Sequence, residues 1–135
     1  MVVSEGNKRV LNDCCSKWTP CNFVVIDFDR KDFKVAIKRT KYMSNTEHIG
    51  FWTRPVIERG AESSGIYYTT HGSSGGGSFS LPEMNEGDVI MIEIKNSTAT
   101  FKLNGQSATN TVPSGVLFGI WAYYKGSEYQ IVEFK

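Results

Sequence analysis

The chain has 135 residues, of which 40% are hydrophobic and 21% charged, a composition typical of one soluble globular domain. Fifteen basic and fourteen acidic residues leave a net charge of +1, which argues against the clustered positive charge that non-specific nucleic-acid or anionic-membrane binding needs. No stretch approaches the roughly 18 apolar residues of a membrane-spanning helix, and the amino-terminal residues lack the apolar core of a signal peptide, so we expect an intracellular, cytoplasmic protein.

The first 21 residues carry the weakest structural signals. A short helix or 3₁₀ turn is predicted near residues 10–14. The three cysteines, Cys14, Cys15 and Cys21, are odd in number and clustered, which is a poor disulfide framework. Zinc needs four ligands at defined spacing, and both histidines are distant in sequence. We therefore expect free thiols, no metal site and no cofactor.

The rest of the chain has the periodicity of β-strands. Residues 23–28 are mostly apolar and precede a polar turn at residues 29–32, after which Phe33, Val35 and Ile37 alternate with lysine and alanine. Such alternation is typical of a strand with one face in the core and one in water. The two segments are predicted to pair as a hairpin.

Several more strands are predicted towards the carboxyl terminus. The Asn104-Gly105 pair marks a tight turn, because both residues tolerate positive φ. Many short strands separated by turn signals indicate an antiparallel sandwich or barrel. These strands are expected at residues 48–52, 66–70, 88–94, 99–103, 116–124 and 129–134.

The glycine-rich run His71–Ser80, "HGSSGGGSFS", has three possible interpretations. A phosphate-binding loop is disfavoured, since no lysine lies between Arg59 and Lys95 and no helix is predicted to follow. A linker between two domains would leave about 60 residues on one side, which is marginal for independent folding. A surface loop within one domain spanning residues 1–135 is therefore preferred, with residues 1–21 the least certainly assigned.

Four motifs in the second half resemble the SPRY (B30.2-like) domain family. They are "EGDVI" (86–90), "FKLNG" (101–105), "LFGI" (117–120) and "YYKGSE" (123–128). The resemblance spans residues 32–134. It implies an all-β, two-sheet antiparallel sandwich of the concanavalin-like jelly-roll type. It further implies a non-catalytic module of a larger protein, which binds a peptide segment or protein surface through loops at one edge.

Candidate binding residues follow from this resemblance and from residue type. Tyr67 and Tyr68 point to opposite faces of a strand, and Tyr68 is expected to be the exposed one, near the peptide-binding edge. Tyr124 is the preferred single candidate, because an aromatic residue at the last turn contributes to the pocket in peptide-binding SPRY proteins. Cross-strand packing is the alternative role for Tyr124. Lys125 beside it is expected to orient an acidic or carbonyl-rich ligand.

Three further candidates lie near the middle of the chain. Trp52 next to Arg54 has the aromatic and arginine composition of interface hot spots, although Trp52 could equally be a core residue. Arg54 is expected to share the ligand-orienting role of Lys125. His71 is either a rim residue of the binding face or a solvated loop histidine.

No catalytic constellation is evident, and we predict that the protein is not an enzyme. Acidic residues do not alternate along any predicted strand, as the sandwich glycosidases require, and no Ser/His/Asp or Cys/His set has plausible spacing. A galectin-like intracellular lectin is the alternative function, since galectins share the length and the "FKLNG"-like hairpin. A purely architectural module is the third hypothesis.

Overall fold

The computed structural model describes residues 2–4, 9–13, 23–27, 32–41, 43, 47–58, 65–70, 73–75 and 81–134. These residues form twelve β-strands and one short helix. In chain order the elements are β1 (Val2–Ser4), β2 (Arg9–Leu11), β3 (Phe23–Asp27), β4 (Phe33–Lys41), β5 (His48–Thr53), α1 (Arg54–Glu58), β6 (Ile66–Thr69), β7 (Ser73–Gly75), β8 (Val89–Lys95), β9 (Thr98–Leu103), β10 (Gln106–Thr111), β11 (Val116–Trp121) and β12 (Glu128–Phe134).

The strands form two antiparallel sheets, which confirms the predicted all-β sandwich. One sheet has seven strands in the order β1-β2-β12-β4-β8-β9-β10, and the other has five in the order β3-β11-β5-β6-β7. The main core lies between them. Strands β4, β8 and β9 alternate as predicted, so that residues such as Val35, Ile92 and Phe101 are buried while Lys34 and Lys102 lie on the opposite face.

Tight turns connect the hairpins of the seven-stranded sheet. Asn104 and Gly105 join β9 to β10 with φ of 50° and 81°, the left-handed conformation that an Asn-Gly turn favours. Asn96 and Ser97, between β8 and β9, also have positive φ, at 53° and 61°. The predicted Asn104-Gly105 turn is therefore confirmed.

Two predictions for the first third of the chain were wrong. Strand β3 does not pair with β4: it pairs with β11 in the five-stranded sheet, whereas β4 lies between β12 and β8 in the other. The predicted β3–β4 hairpin is therefore absent, since the two strands belong to different sheets. The helix expected near residues 10–14 is also absent from the described residues, because Arg9–Leu11 forms β2, paired with β12, and buries Val10.

The glycine-rich run contributes a strand to the sandwich. Ser73–Gly75 forms β7 and pairs with β6 at the edge of the five-stranded sheet, with Thr69 opposite Ser73 and Tyr67 opposite Gly75. This part of the run is therefore built into the sheet. The remaining residues, 71–72 and 76–80, lie outside the described residues, as do Cys14, Cys15 and Cys21.

The outer face of the five-stranded sheet carries a second apolar cluster. Trp52 packs against Tyr67 with ring centroids 5.4 Å apart, and against Trp121 at 5.5 Å. Phe23 completes the aromatic group, and Ile57 of α1 covers it. The described part of this sheet around β5, β6 and β11 is consequently buried on both faces. Helix α1 has only five residues, and within the described ranges no helix has the length and apolarity to cross a membrane.

Candidate functional site

A network of buried polar side chains lies between the sheets at the end where β5 begins. Its centre is Glu47, the residue before β5, which is 0% exposed. The hydroxyl of Tyr129 donates to Glu47 Oε1 over 2.6 Å, and Arg39 Nη2 lies 3.5 Å from the same oxygen. The other carboxylate oxygen, Oε2, accepts a hydrogen bond of 2.9 Å from the backbone amide of Tyr124. Strands β4 and β12 and the turn after β11 thus meet at one carboxylate.

The same network reaches the segment before β8. Arg39 Nη1 donates to the carbonyl oxygen of Met84 over 2.6 Å. Tyr68, on β6, donates its hydroxyl to the carbonyl oxygen of Pro82, also over 2.6 Å. Buried polar groups destabilise a fold unless they find such partners. These bonds therefore attach residues 81–84 to both sheets.

Burial controls the electrostatics of the network. It raises the pKa of the Glu47 carboxyl above its ordinary value, because a buried charge loses its hydration. The hydroxyls of Ser127 and Tyr129, the amide of Tyr124 and the guanidinium of Arg39 act in the opposite direction by stabilising the carboxylate. Burial also raises the pKa of Tyr129 well above its ordinary value, and the negative charge of Glu47 adds to this effect. Tyr129 therefore remains a hydrogen-bond donor at neutral pH.

The 122–127 turn, which joins β11 to β12, is held on its other side by Asn12. The fully buried side-chain amide of Asn12 donates to the carbonyl oxygen of Ala122 over 2.7 Å. Its backbone amide donates to Ser127 over 3.0 Å, and its carbonyl accepts from the amide of Gly126 over 2.7 Å. Gly126 has a φ of +96°, a conformation that favours glycine. The backbone of the turn is thus fixed from two sides by buried groups.

Four side chains at the outer surface of this turn form what we call the tyrosine edge: Met43, Tyr123, Tyr124 and Lys125. The two tyrosines are half-buried, and their rings pack edge to face with centroids 4.5 Å apart and an interplanar angle of 86°. Met43 is 53% exposed and lies over Gly126, where an added Cβ would be 3.3 Å from its sulfur. Lys125 is exposed. Aromatic and methionine side chains are enriched at protein interfaces.

The predicted binding residues Tyr124 and Lys125 both lie on the tyrosine edge. Their part in binding stays a prediction. Thr69, the last residue of β6, pairs with His48, so β6 ends on the side of the sheet where the turn lies. His71, two residues further on, lies outside the described residues.

Two of the predicted binding residues are instead core residues. The expectation that Tyr68 is exposed was wrong, since Tyr68 and Trp52 are both 0% exposed. Tyr67 and Tyr68 do point to opposite faces of β6, but Tyr68 enters the main core and Tyr67 enters the second cluster. Tyr68 is buried because its side of β6 faces the other sheet, whereas Trp52 and Tyr67 are buried because the second cluster, with Ile57 of α1, covers the outer face.

Arg54 is exposed but lies far from the tyrosine edge. It follows Thr53, which pairs with Val116, whereas the turn begins after Trp121, which pairs with His48. The five residue-to-residue steps from His48 to Thr53 span about 17 Å at the usual rise of a strand. Arg54 therefore lies at the opposite end of the sheet, and the expectation of one surface shared with Tyr124 was wrong.

Sequence reasoning missed the residues that support the turn. Arg39 could have been found, because it continues the inward phase of Phe33, Val35 and Ile37 on β4, and a charge in that position requires a buried partner. Glu47 gave no comparable signal. Its proximity to Arg39 and Tyr124 depends on strand pairings between residues that are distant in sequence.

The described residues contain no group of three or more histidine, cysteine, aspartate or glutamate side chains that could hold a metal ion. The buried network is likewise closed, with its carboxylate oxygens already engaged by donors. The closed network around Glu47 is suited to fixing the position of the tyrosine edge.

No family model and no curated protein matches the chain. Among solved structures, the fold is similar to that of the SPRY domain of human HERC1. The TM-score is 0.56, the match covers 81% of this chain and 76% of the other, and the sequence identity is 15%. At that identity the likeness concerns the fold alone. The chain therefore has a SPRY-like fold, as its motifs indicated.

Proposed function

We propose that this SPRY-like sandwich is a non-catalytic protein-interaction module, part of a larger protein or complex, that binds a peptide segment or protein surface at the tyrosine edge. SPRY domains, which the sequence motifs resemble, are expected to bind partners through loops at one edge of the sandwich. Three of the four residues of the tyrosine edge, Tyr123, Tyr124 and Lys125, lie on such a loop, between the last two strands. Fold and surface composition thus favour the same function.

The observation that carries the proposal is the hydrogen bond between the amide of Tyr124 and the buried carboxylate of Glu47. It places a half-exposed aromatic residue on a backbone that is fixed before any partner arrives. Binding to a rigid surface avoids part of the conformational entropy that a mobile loop would lose. Tyrosine itself has few rotatable bonds and offers a large amphipathic contact area.

The side chains of the edge supply complementary contacts. Tyr123 and Tyr124 offer apolar ring surface, and the flexible thioether of Met43 adapts to partners of different shape. The ammonium group of Lys125 is suited to a carboxylate or carbonyl oxygen of the partner. An extended or looped segment with an acidic or carbonyl-rich stretch fits this combination.

The glycan-binding alternative finds no support at the described tryptophans. A lectin site needs an exposed aromatic ring on which the sugar stacks, but Trp52 and Trp121 are both 0% exposed. That the domain binds neither nucleic acid nor membranes stays a prediction.

Selection from a random peptide library tests the proposal. The immobilised domain is used for selection, and the best peptide is synthesised and titrated against wild type, Tyr124→Ala and Arg54→Ala. Truncating a hot-spot residue costs about 2 kcal/mol or more, equivalent to a roughly thirtyfold loss of affinity. We expect this loss for Tyr124→Ala and no change for Arg54→Ala, the exposed control at the other end of the sheet.

Thermal unfolding of both variants provides the control for folding. A Tyr124→Ala variant that melts like the wild type yet binds the peptide equally well would exclude the tyrosine edge as the site. Equal losses in both variants would indicate a non-specific effect and would also count against it.

A further inference from the structure

We propose that the buried carboxylate of Glu47 positions the tyrosine edge through the amide of Tyr124, and that proton uptake by this carboxylate weakens partner binding there, a form of regulation that rests on the proposed function of that edge.

Both oxygens of the carboxylate already face donors. Oε2 accepts from the amide of Tyr124 over 2.9 Å, and Oε1 accepts from the hydroxyl of Tyr129 over 2.6 Å with Arg39 Nη2 at 3.5 Å. A proton added to either oxygen would therefore point at a donor. The hydroxyl of Tyr129 can rotate to accept a hydrogen bond, whereas the backbone amide of Tyr124 cannot.

Protonation is consequently easier at Oε1, and it leaves the Tyr124 amide bonded to a neutral carboxyl group. A hydrogen bond to an ionised acceptor is roughly twice as strong as one to a neutral acceptor. The turn is then held less firmly on the side that carries Tyr124. Asn12, on its other side, holds the turn through amide and backbone groups, which do not titrate.

Because of its surroundings, the carboxylate of Glu47 takes up its proton at a higher pH than an ordinary carboxyl group does. Burial raises the pKa of Glu47, and the pKa of Tyr68 and that of Tyr129 are raised as well, so neither tyrosine titrates in the acid range. His48 follows Glu47 directly, but its ring stacks on Tyr67 on the outer face of the sheet, with centroids 4.2 Å apart. Among the described residues, the charged groups that act on the pKa of these side chains include Arg39, Glu83 and Asp88. The strands β4 and β12 also carry Lys38, Lys41 and Glu128, and Asp13 and Lys125 lie beside the turn.

Amide NMR of the wild-type domain tests the coupling without any partner. The ¹H and ¹⁵N shifts of the Tyr124 amide are followed from neutral to acid pH, with the Gly126 amide of the same turn as the control, since it donates to the backbone carbonyl of Asn12. We expect the Tyr124 amide to follow one transition above the range of ordinary carboxyl groups, and the Gly126 amide to change much less.

Tyr129→Phe provides a variant that keeps the aromatic ring in the core. Glu47→Gln is avoided because it leaves the buried Arg39 cation without its carboxylate. Losing the Tyr129 hydroxyl removes a donor that stabilises the carboxylate, so the transition of the Tyr124 amide should move to higher pH. The synthesised peptide of the selection experiment should lose about fivefold in affinity as the pH falls through the transition. In Tyr129→Phe, this loss of affinity should occur at the same higher pH as the transition of the Tyr124 amide.

Each negative result of these experiments excludes a different claim. A Tyr124 amide that does not titrate, or a transition that Tyr129→Phe leaves in place, overturns the coupling to Glu47. A titrating amide with constant peptide affinity overturns the regulation but leaves the proposed function intact. Peptides that bind independently of Tyr124 overturn the proposed function, and the regulation with it.

Discussion

The buried pair Arg39 and Glu47 predicts an unusual asymmetry between two single substitutions. Arg39→Met removes the cation and leaves the carboxylate with its donors from Tyr129 and Tyr124. Glu47→Gln removes the negative charge and leaves a guanidinium that is 0% exposed. The buried carboxylate can become neutral by taking up a proton, whereas arginine stays charged at every accessible pH.

The structure sets the expected magnitudes. Removing one partner of a buried ion pair costs about 3–5 kcal/mol, and we expect Glu47→Gln to reach this range at neutral pH, where the wild-type carboxylate is charged. Arg39→Met should cost less, about 2–3 kcal/mol near neutral pH, from the bonds lost by the guanidinium. Without Arg39, the already raised pKa of Glu47 rises further, because the attraction of the guanidinium is lost.

The sign of the pH dependence follows from proton binding. A folded state whose carboxyl pKa is raised binds more protons than the unfolded state, so its stability falls as pH rises through the folded pKa. Arg39→Met should therefore recover stability relative to wild type when the pH is lowered from about 8 to about 5. Glu47→Gln has lost the titrating group and should show no such recovery.

Urea unfolding of wild type, both single variants and the double variant at the two pH values measures these differences. The double variant should be less destabilised than the sum of the single ones, since it leaves no unpaired charge behind, whereas each single variant does. Equal costs for the two single variants at both pH values, with additive effects in the double variant, would refute the description of this pair as a buried, coupled charge network.

Three further predictions concern other parts of the sandwich. Gly50→Ala should destabilise the fold by about 1–3 kcal/mol or more, because the new Cβ would lie 2.3 Å from the backbone oxygen of Ile66. Urea unfolding measures this change, and an unchanged midpoint would contradict the close approach. Glu128→Gln should cost up to about 1 kcal/mol at neutral pH. Hydrogen bonds from Arg9 lower the pKa of Glu128, so this cost should shrink as the pH falls through the lowered pKa. An equal cost at neutral and at strongly acid pH would contradict it. Asn12→Ala should cost about 1–3 kcal/mol, because the buried carbonyl of Ala122 loses the donor that Asn12 supplies. Hydrogen exchange of the amides in that turn should become faster, and unchanged exchange would contradict the prediction.

The elements that could be predicted are those determined by local pattern. Strands β8 and β9 alternate between apolar and polar residues, so their positions and inward faces followed from the sequence, and the burial of Ile90, Ile92 and Phe101 confirms them. The Asn104-Gly105 turn followed from the conformations that these residues tolerate. Each of these features depends on neighbours within a few residues.

The elements that could not be predicted depend on pairing between distant segments. Strand β3 was assigned to β4 because the two are adjacent in sequence, but it pairs with β11, more than ninety residues away. The burial of both faces of the sheet around β5, β6 and β11 was missed for a related reason. Nearly all of β5 is buried, and a continuous apolar strand does not reveal what covers its second face.

The tyrosine edge contains residues that are neighbours in sequence and residues that come together only in the folded chain, which explains why only part of it was predicted. Tyr124 and Lys125 could be proposed because they are adjacent in a recognisable turn, whereas Met43 and Glu47 reach that turn only through the folded arrangement of β4, β5 and β11. The edge thus consists of exposed groups that contribute little to stability and a buried carboxylate that contributes to both stability and position. Substitution of Lys125 should therefore alter partner binding alone, whereas any change at Glu47 should alter unfolding and binding together.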